Sequence, residues 1–182
     1  MSILKVARLG HPVLRTRARP IDPVEIGSPR IQTLIDDMIE TMHEYSGIGL
    51  AAPQTHESVR LFVAGVRVTP IGDELPVAGD MPLVVLINPE VSAIGTEQGE
   101  DWEGCLSIPD IRGLVPRARS IQVRAFDRHG AAVEFRASGL PARVIQHEHD
   151  HLDGILFFDR MRSLETLAFL DEYSRYWAKD ED

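Results

Sequence analysis

A His-Glu-x-x-His array near the C-terminal end is the part of this sequence with the clearest capacity for chemistry. On a helix, His147 and His151 are four residues apart, so their side chains project from one face and can bind one metal ion. Glu148 lies beside that face, where its carboxylate can take a proton from a water that the metal activates. Ser138 as the N-cap and Gly154 as the stop predict the helix that the array requires. The sequence therefore predicts a metal site here, and not merely a solvated polar helix face.

Two histidines do not complete a catalytic metal site, which commonly has three protein ligands and one open position. In metzincin proteases a third histidine follows the array, but Phe157 stands at that place and cannot ligate a metal. Glu165 or Glu172 could supply a carboxylate, as in proteases with a His-His-Glu site. The other candidate is Cys105, the single cysteine of the chain. The residue pattern alone leaves these alternatives open.

Cys105 lies in a segment that favours exposure of its thiol. A lone cysteine cannot form an internal disulfide, and its default interpretation is a small buried hydrophobic residue. However, it follows a glycine and precedes a Ser-Ile-Pro run, in a stretch rich in turn-forming residues. This pattern predicts a loop or a bulged strand edge that presents the thiolate to a partner. Together with two imidazoles the thiolate would form a His-His-Cys set, which is known in catalytic sites.

A third candidate segment, residues 47–54, contains Gly47 and Gly49 and superficially matches the Gly-x-Gly-x-x-Ala dinucleotide fingerprint. That fingerprint requires a preceding strand and a following helix. The preceding residues instead predict a helix that begins after Ser28 and ends at one of the two glycines, and Pro53 disfavours a following helix. We therefore reject nucleotide binding. The glycines are expected to let the backbone approach a ligand closely.

Taken together, the three segments resemble the peptide deformylase family, whose members remove the N-formyl group from new bacterial proteins. The family pattern consists of a Gly-x-Gly-x-Ala-Ala-x-Gln box, a Glu-Gly-Cys-Leu-Ser box and a Gln-His-Glu-x-x-His-x-x-Gly box. Residues 47–54, 103–107 and 146–154 fill these boxes in the same order, without departure at a defining position. The segment 6–15 and the residues from Arg112 onward also look like the family, so the resemblance covers nearly the whole chain.

The resemblance implies a catalytic role for several of these residues. Glu148 would take a proton from the attacking water and return one to the leaving amine. The Gln54 side chain and the backbone N–H of Leu106 would receive the negative charge that builds on the formyl oxygen. A binding module without turnover is disfavoured, because Glu148 and Gln54 are both present. The implied metal ligands are Cys105, His147 and His151.

The resemblance also implies an extended substrate that pairs with the backbone of the glycine and cysteine boxes, as a peptide pairs with the edge of a sheet. A preference for a methionine-like side chain implies an apolar pocket, for which Ile48, Leu106 and Val144 are candidates. Core packing would explain the same apolar residues. The predicted substrate-binding residues are Gly47, Ile48, Gly49, Gly104, Arg112 and Val144.

As cofactor, the resemblance implies one ferrous ion per chain, and Zn²⁺, Ni²⁺ or Co²⁺ could substitute because they accept the same ligands. It implies N-formylmethionyl nascent peptides as substrates and leaves open a transient contact with the ribosome. The net charge of −9 disfavours stable nucleic-acid binding. The sequence has no transmembrane run and no secretory leader, and it has a lone cysteine. We therefore expect a cytoplasmic monomer that does not bind membranes.

The 182 residues are expected to form a single catalytic domain, 1–182, of the α+β class. The expected layout is antiparallel strands packed around the central metal-binding helix, with an N-terminal helix and a C-terminal helix. The C-terminal helix is predicted to be capped by Ser163 and to run toward residue 178.

Connections between these elements are also predicted. Residues 127–130 are typical of a hairpin turn, and residues 69–82 of an irregular loop. The acidic tail, 180–182, is expected to fray. The predicted strands span 59–66, 83–88, 120–126 and 132–137.

Overall fold

The computed structural model describes residues 2–65 and 81–178. Its first long element is helix α1, Pro29–Glu44, and the Ser28 hydroxyl accepts a hydrogen bond from the Ile31 N–H, as a capping residue does. The predicted start after Ser28 is thereby confirmed. The helix ends at Glu44, which is a few residues earlier than the predicted end at Gly47 or Gly49. Its buried face is made of Ile31, Leu34, Ile35, Met38, Thr41 and Met42.

Eight strands follow one another along the described part of the chain, and they form two antiparallel sheets. They are β1 Gly49–Ala51, β2 Leu61–Ala64, β3 Val84–Ala93, β4 Gln98–Cys105, β5 Ile108–Ala118, β6 Ser120–Phe126, β7 Ala132–Ser138 and β8 Ala168–Phe169. The first sheet has the order β1-β2-β3-β6-β7 and the second has the order β4-β5-β8. β1 therefore lies at the edge of one sheet, and β4 lies at the edge of the other.

The hairpin of β6 and β7 agrees closely with the sequence. The carboxylate of Asp127 accepts hydrogen bonds from the N–H groups of His129 and Ala131, which closes the predicted turn. The strand predicted at 59–66 is shorter as β2, and the strand predicted at 83–88 is longer as β3. Residue 66, most of the loop predicted at 69–82 and the tail 180–182 lie outside the described residues.

β4 and β5 were not predicted from the sequence. β4 combines two glycines with several acidic residues, and β5 contains Pro109 and Pro116. Such residues are uncommon in strands, so local propensity pointed to turns. The two strands nevertheless pair along most of their length, from Gln98 opposite Ala118 to Cys105 opposite Ile108. Cross-strand pairing therefore outweighs local propensity in this segment.

Helix α2, Gly139–Leu152, carries the His-Glu-x-x-His array and contacts strands of both sheets. It begins after Ser138 as predicted, although the hydroxyl of this residue makes no capping hydrogen bond. Gly154, with a φ of 73°, follows the helix and turns the chain away, as a glycine at this place can. An α+β fold with antiparallel strands around a central helix is thereby confirmed.

The predicted C-terminal helix is confirmed, but its predicted start at Ser163 is wrong. Ser163 caps only a short 3₁₀ turn, Leu164–Thr166, by accepting a hydrogen bond from the Glu165 N–H. The chain then extends as β8, and helix α3 begins only at Leu170 and spans Leu170–Tyr176. The reason is that β8 pairs with the outer edge of β5, a tertiary contact that helical periodicity cannot reveal. In the part of the chain that the structure describes, no helix is long and apolar enough to cross a membrane.

Candidate active site

Three side chains that can bind a metal meet where α2 contacts the end of β4. Ligand atoms of Cys105, His147 and His151 all lie within 4.8 Å of one another, and the three residues are buried. The Sγ atom of Cys105 is 3.3 Å from Nε2 of His151. The β4–β5 register shifts between Glu103 and Cys105, which agrees with the predicted bulged strand edge. The structure thus brings together two potential metal ligands from a helix and one from a strand.

Glu165 and Glu172, the alternative third ligands, are exposed and lie outside this cluster. Among residues 2–65 and 81–178, this cluster is the one place where three such donors converge. A thiol and two imidazoles suit iron, zinc, nickel and cobalt. The residues present therefore fit one divalent metal ion, and a His-His-Glu arrangement is not formed in the described part of the chain.

His147 is oriented by a carboxylate to which the sequence analysis assigned no role. Its Nδ1 atom lies 2.9 Å from Oε2 of Glu103, which leaves Nε2 free on the opposite side of the ring. Burial raises the pKa of Glu103, but hydrogen bonds with His147 and Arg117 outweigh burial and hold this pKa below its usual range. An ionised Glu103 keeps the Nδ1 atom protonated, so Nε2 is available to a metal.

Glu103 is part of a connected network of buried charges. Nε and Nη2 of Arg117 donate to its two carboxylate oxygens, each at 2.9 Å, and Arg143 donates to Oε1 at 2.7 Å. Arg117 also donates to Asp150, which accepts further hydrogen bonds from Arg160. Asp150 is therefore linked to His147 through Arg117 and Glu103. Bidentate pairing of this kind holds the acceptor in a defined orientation.

His151 differs from the other imidazole because its Nδ1 atom is buried and has no hydrogen-bond partner among the described residues. Burial lowers the pKa of His151, and the nearby charges of His147 and Arg117 lower it further. This environment favours the neutral ring, which is the form that binds a metal. Asp153, just after the helix, forms an ion pair with Arg60 at 2.7 Å.

Glu148 is buried beside the cluster, and its Oε2 atom has no hydrogen-bond partner in the described structure. Burial raises its pKa to about 7, although the charge of His147 acts in the opposite direction. A carboxyl group with a pKa near neutrality can both take up and return a proton. The side chain lies against Gly49, where an added Cβ atom would come within 2.3 Å of Oε1.

Gln54 lies in a buried 3₁₀ turn, Ala52–Thr55, that follows β1. Its Oε1 atom accepts a hydrogen bond from the Ala51 N–H at 2.8 Å, so part of the side chain does stabilise its own loop. Its Nε2 atom lies 3.5 Å from Sγ of Cys105 and 3.2 Å from Oγ of Ser107. The amide is thereby held with its donor directed at the metal-binding cluster.

The cluster opens onto a cleft of about 350 Å³, which the sequence-predicted substrate residues line. Ile48 is 42% exposed at its mouth, whereas Val144 is buried in its wall. Leu106 packs against Gly47, where an added Cβ atom would approach Cδ1 of Leu106 to 2.9 Å. The predicted residues along the cleft are Gly47, Ile48, Gly49, Gln54, Gly104, Leu106, Arg112 and Val144. Further lining residues, which no sequence pattern indicated, are Ser46, Trp102, Leu140 and Arg143.

A Cys-His-His cluster beside a buried glutamate, at the base of an open cleft in an α+β fold, defines a metal-dependent hydrolase. The comparison with known proteins agrees, since residues 3–167 match the polypeptide deformylase family. Peptide deformylase 2 of Nostoc sp. is 41% identical over 178 residues, which cover 98% of this chain and 97% of that protein. Peptide deformylase of Salinibacter ruber is 47% identical over 165 residues, or 88% and 82% of the two chains.

Solved structures give the same result. The class I type b peptide deformylase of Acinetobacter baumannii with Met-Ala-Ser bound has a TM-score of 0.80 and 41% identity, covering 88% of this chain and 100% of that one. The Thermotoga maritima peptide deformylase has a TM-score of 0.76 and 37% identity, covering 90% and 100%. The chain belongs to the peptide deformylase family.

Proposed function

We propose that this protein removes the N-formyl group from the N-terminal formylmethionine of newly made polypeptides. The observation that carries the proposal is the convergence of Cys105, His147 and His151 at a cleft that contains a buried glutamate. Family membership supports it, and so does the Acinetobacter baumannii relative, whose structure has Met-Ala-Ser bound.

We assign Cys105, His147 and His151 as the metal ligands and ferrous iron as the native ion. When bound, the ion supplies a positive charge that polarises the formyl group and activates the attacking water. Glu103 supports this assignment, because its hydrogen bond to Nδ1 holds His147 with Nε2 free for ligation. The thiol and the two imidazoles approach from different elements, which leaves the cleft side open to substrate.

Glu148 moves the proton in the proposed reaction. Its carboxylate takes a proton from water as the water oxygen forms a bond to the formyl carbon. It returns that proton to the amine nitrogen when the carbon–nitrogen bond breaks, so the products are formate and a free N-terminal amine. A pKa of about 7 suits both transfers, because neither protonation state is strongly favoured at neutral pH.

Gly49→Ala tests whether the position of this carboxylate matters. We expect kcat to fall roughly 100-fold, because the new methyl group would displace Glu148 and an error of about 1 Å in a reacting group has an effect of this size. The measurement is steady-state hydrolysis of formyl-Met-Ala-Ser. Gly27→Ala is the matched control, since a Cβ atom there meets nothing within 4 Å, and it should retain wild-type kcat. Equal kcat values for the two variants would contradict the role of Glu148.

Negative charge on the formyl oxygen is received by Nε2 of Gln54 and by the backbone N–H of Leu106 in this proposal. Two features support the assignment: the Gln54 donor points toward Cys105, and Leu106 directly follows that residue at the cleft. The Gln54 donor is held in place before substrate binds, because the Oε1 atom of the same side chain accepts a hydrogen bond from the Ala51 N–H. Fixed donors of this type stabilise developing charge at little cost in reorganisation.

Gln54→Glu is expected to lower kcat about 10²- to 10³-fold, the usual effect of removing one such donor. The substitution keeps an oxygen for the Ala51 N–H, so the turn should be retained while the Nε2 donor is lost. Formyl-Met-Ala-Ser kinetics and elemental analysis would separate loss of catalysis from loss of metal. Gln98→Glu makes the same chemical change at an exposed site of β4 and should leave kcat unaltered. An unaltered kcat in Gln54→Glu would remove Gln54 from the mechanism.

The substrate is proposed to bind as an extended strand between β1 and β4, which lie at the edges of their sheets. Gly47, Ile48 and Gly49 would pair with the peptide backbone on one side, and Gly104 on the other. Arg112 lies over Gly104 and would bind the peptide at the same place. The methionine side chain would enter an apolar pocket formed by Ile48, Leu106 and Val144.

The direct test is hydrolysis of formyl-Met-Ala-Ser by iron-loaded protein under anaerobic conditions, with the products identified by mass spectrometry. We expect formate and Met-Ala-Ser with both peptide bonds intact. Cleavage between amino acids would instead indicate a peptidase, and absence of any product from iron-loaded protein would overturn the proposal.

The proposed native metal leads to a separate expectation. Protein purified without oxygen should contain one iron per chain and should lose activity in air, because ferrous iron oxidises there whereas divalent nickel does not. Protein loaded with nickel should keep its activity under the same exposure. Elemental analysis and activity time courses would report both results. One zinc ion per chain with full, air-stable activity would contradict the iron assignment.

We further propose that residues 1–182 act as one catalytic domain and as a monomer in the cytoplasm, where nascent chains emerge from ribosomes. The lone cysteine supports a reducing compartment. The net charge of −9 disfavours stable binding of nucleic acid. It is compatible with a transient contact with the ribosome if a small local patch of the surface makes that contact.

A further inference from the structure

An aromatic cluster stands at the outer end of the cleft, and part of it lies beyond the residues that match the family. Trp102 lines the cleft from β4. Its ring centroid is 4.8 Å from that of Tyr173 and 5.5 Å from that of Trp177. Tyr173 belongs to α3 and Trp177 directly follows this helix, whereas the family match ends at residue 167. The C-terminal segment of this chain therefore adds two aromatic rings beside the cleft.

Sheet pairing holds this segment in place. β8, directly before α3, pairs with β5 through Ala168 opposite Arg112. β5 in turn pairs with β4, where Leu114 stands opposite Trp102. The helix is thus fixed to the same sheet that supplies Cys105, and the aromatic rings are held at a defined distance from the metal-binding cluster.

The aromatic cluster also keeps apolar surface accessible. Trp177 is 50% exposed, and Trp102 and Tyr173 are partly exposed. Three neighbouring rings that face solvent beside a substrate cleft form a surface on which an apolar side chain can pack. The surface is continuous with the cleft because Trp102 belongs to both. The occupant that this continuity favours is the substrate peptide itself.

We propose that Trp102, Tyr173 and Trp177 form a subsite for an apolar or aromatic side chain on the third residue of the substrate. The inference rests on the proposed function and on the expected pairing of the peptide with β4. Strand residues advance by about 3.3 Å, so Trp102 lies roughly 7 Å along β4 from Gly104. A peptide with its formyl group at the metal-binding cluster and its first residue beside Gly104 runs away from Cys105 along β4, so its third residue lies beside Trp102.

The apolar rings set the expected preference. A large apolar side chain gains more contact with three neighbouring rings than a methyl group does. The expected order of preference at the third position is therefore phenylalanine or leucine, then alanine.

The test compares formyl-Met-Ala-Phe with formyl-Met-Ala-Ala on the same iron-loaded protein. We expect the ratio of their kcat/KM values to be roughly two- to ten-fold in favour of phenylalanine, the range that one added aromatic contact provides. Tyr173→Ala and Trp177→Ala should each reduce this ratio toward one. Because it is a ratio for one preparation, it does not depend on the fraction of active protein.

Tyr176→Ala is the matched control, because Tyr176 lies on the same helix, is 67% exposed and stacks with Arg175 instead of Trp102. It should retain the wild-type ratio. Equal rates for the two substrates in the wild type, or an unchanged ratio in both cluster variants, would overturn the subsite.

A failure of the proposed function would look different, since neither peptide would release formate. Calorimetric binding of the unformylated peptides Met-Ala-Phe and Met-Ala-Ala would still test the subsite in that case. Tighter binding of Met-Ala-Phe that Tyr173→Ala abolishes would support it, and equal affinities in the wild type would reject it.

Discussion

Cys105→Ala is expected to abolish metal binding and formate release together. The substitution removes the one proposed ligand that does not come from α2, and it leaves His147 and His151 as a pair. Two imidazoles without a thiolate hold a divalent ion far more weakly than a complete three-ligand site. Elemental analysis after dialysis should find about one metal per chain in the wild type and almost none in the variant, with formyl-Met-Ala-Ser hydrolysis lost in parallel.

Thermal unfolding distinguishes this loss of a ligand from damage to the fold. A metal that binds only the folded chain stabilises it, by about 2.7 kcal/mol at a free concentration one hundred times its Kd. Added metal should therefore raise the Tm of the wild type and leave the Tm of Cys105→Ala unchanged, while the two proteins should melt similarly in the presence of a chelator.

Two exposed carboxylates provide the controls. Glu165→Gln and Glu172→Gln should keep both metal and activity, because these side chains lie outside the cluster. If Cys105→Ala retained one metal per chain and either glutamine variant lost it, the third ligand would be a glutamate. The site would then be of the His-His-Glu type, and the peptidase hypothesis would replace the present one.

Glu148→Gln is expected to lower kcat about 10²- to 10⁴-fold, the range that general acid–base catalysis supplies. The amide has nearly the same shape as the carboxylate, but it cannot accept and return the proton. The metal content should remain at wild-type level, because Glu148 is not one of the converging donors. KM for formyl-Met-Ala-Ser should change little, since the substitution leaves the cleft lining in place.

Glu134→Gln is the matched control for this prediction, because it makes the same change in an exposed carboxylate of β7 that pairs with Arg124. It should behave as the wild type. A Glu148→Gln protein with wild-type kcat would show that proton transfer does not depend on this side chain. A variant that lost its metal would show that Glu148 contributes to ligation instead.

Local sequence patterns were sufficient for the elements that depend on near neighbours. The four-residue spacing of His147 and His151 predicted two donors on one face of a helix, and α2 has that form. The turn at 127–130 and the strands on either side were predicted for the same reason, since one aspartate side chain closes the turn. These interactions span only a few residues, so their signal is present in the chain itself.

The partners of the histidines could not be derived in this way. Glu103 is 44 positions from His147, and Cys105 is 46 positions from His151, so no periodicity relates them. Spacing alone left Cys105, Glu165 and Glu172 as alternative third ligands, and the turn-rich setting of the cysteine and the resemblance to a family favoured Cys105. The buried position of Glu103 and its pairing with Arg117 emerge only when β4 and β5 lie beside α2.

The sequence by itself therefore determined the reactive residue types, the helix that carries two of the donors and the family to which the chain belongs. Only the tertiary structure decided that β4 and β5 are strands, that β8 interrupts the expected C-terminal helix, and that Trp102 meets Tyr173 and Trp177 beside the cleft. The physical reason is that strand pairing and side-chain packing join residues far apart in the chain. Their free energy depends on the partner, which a local pattern does not contain.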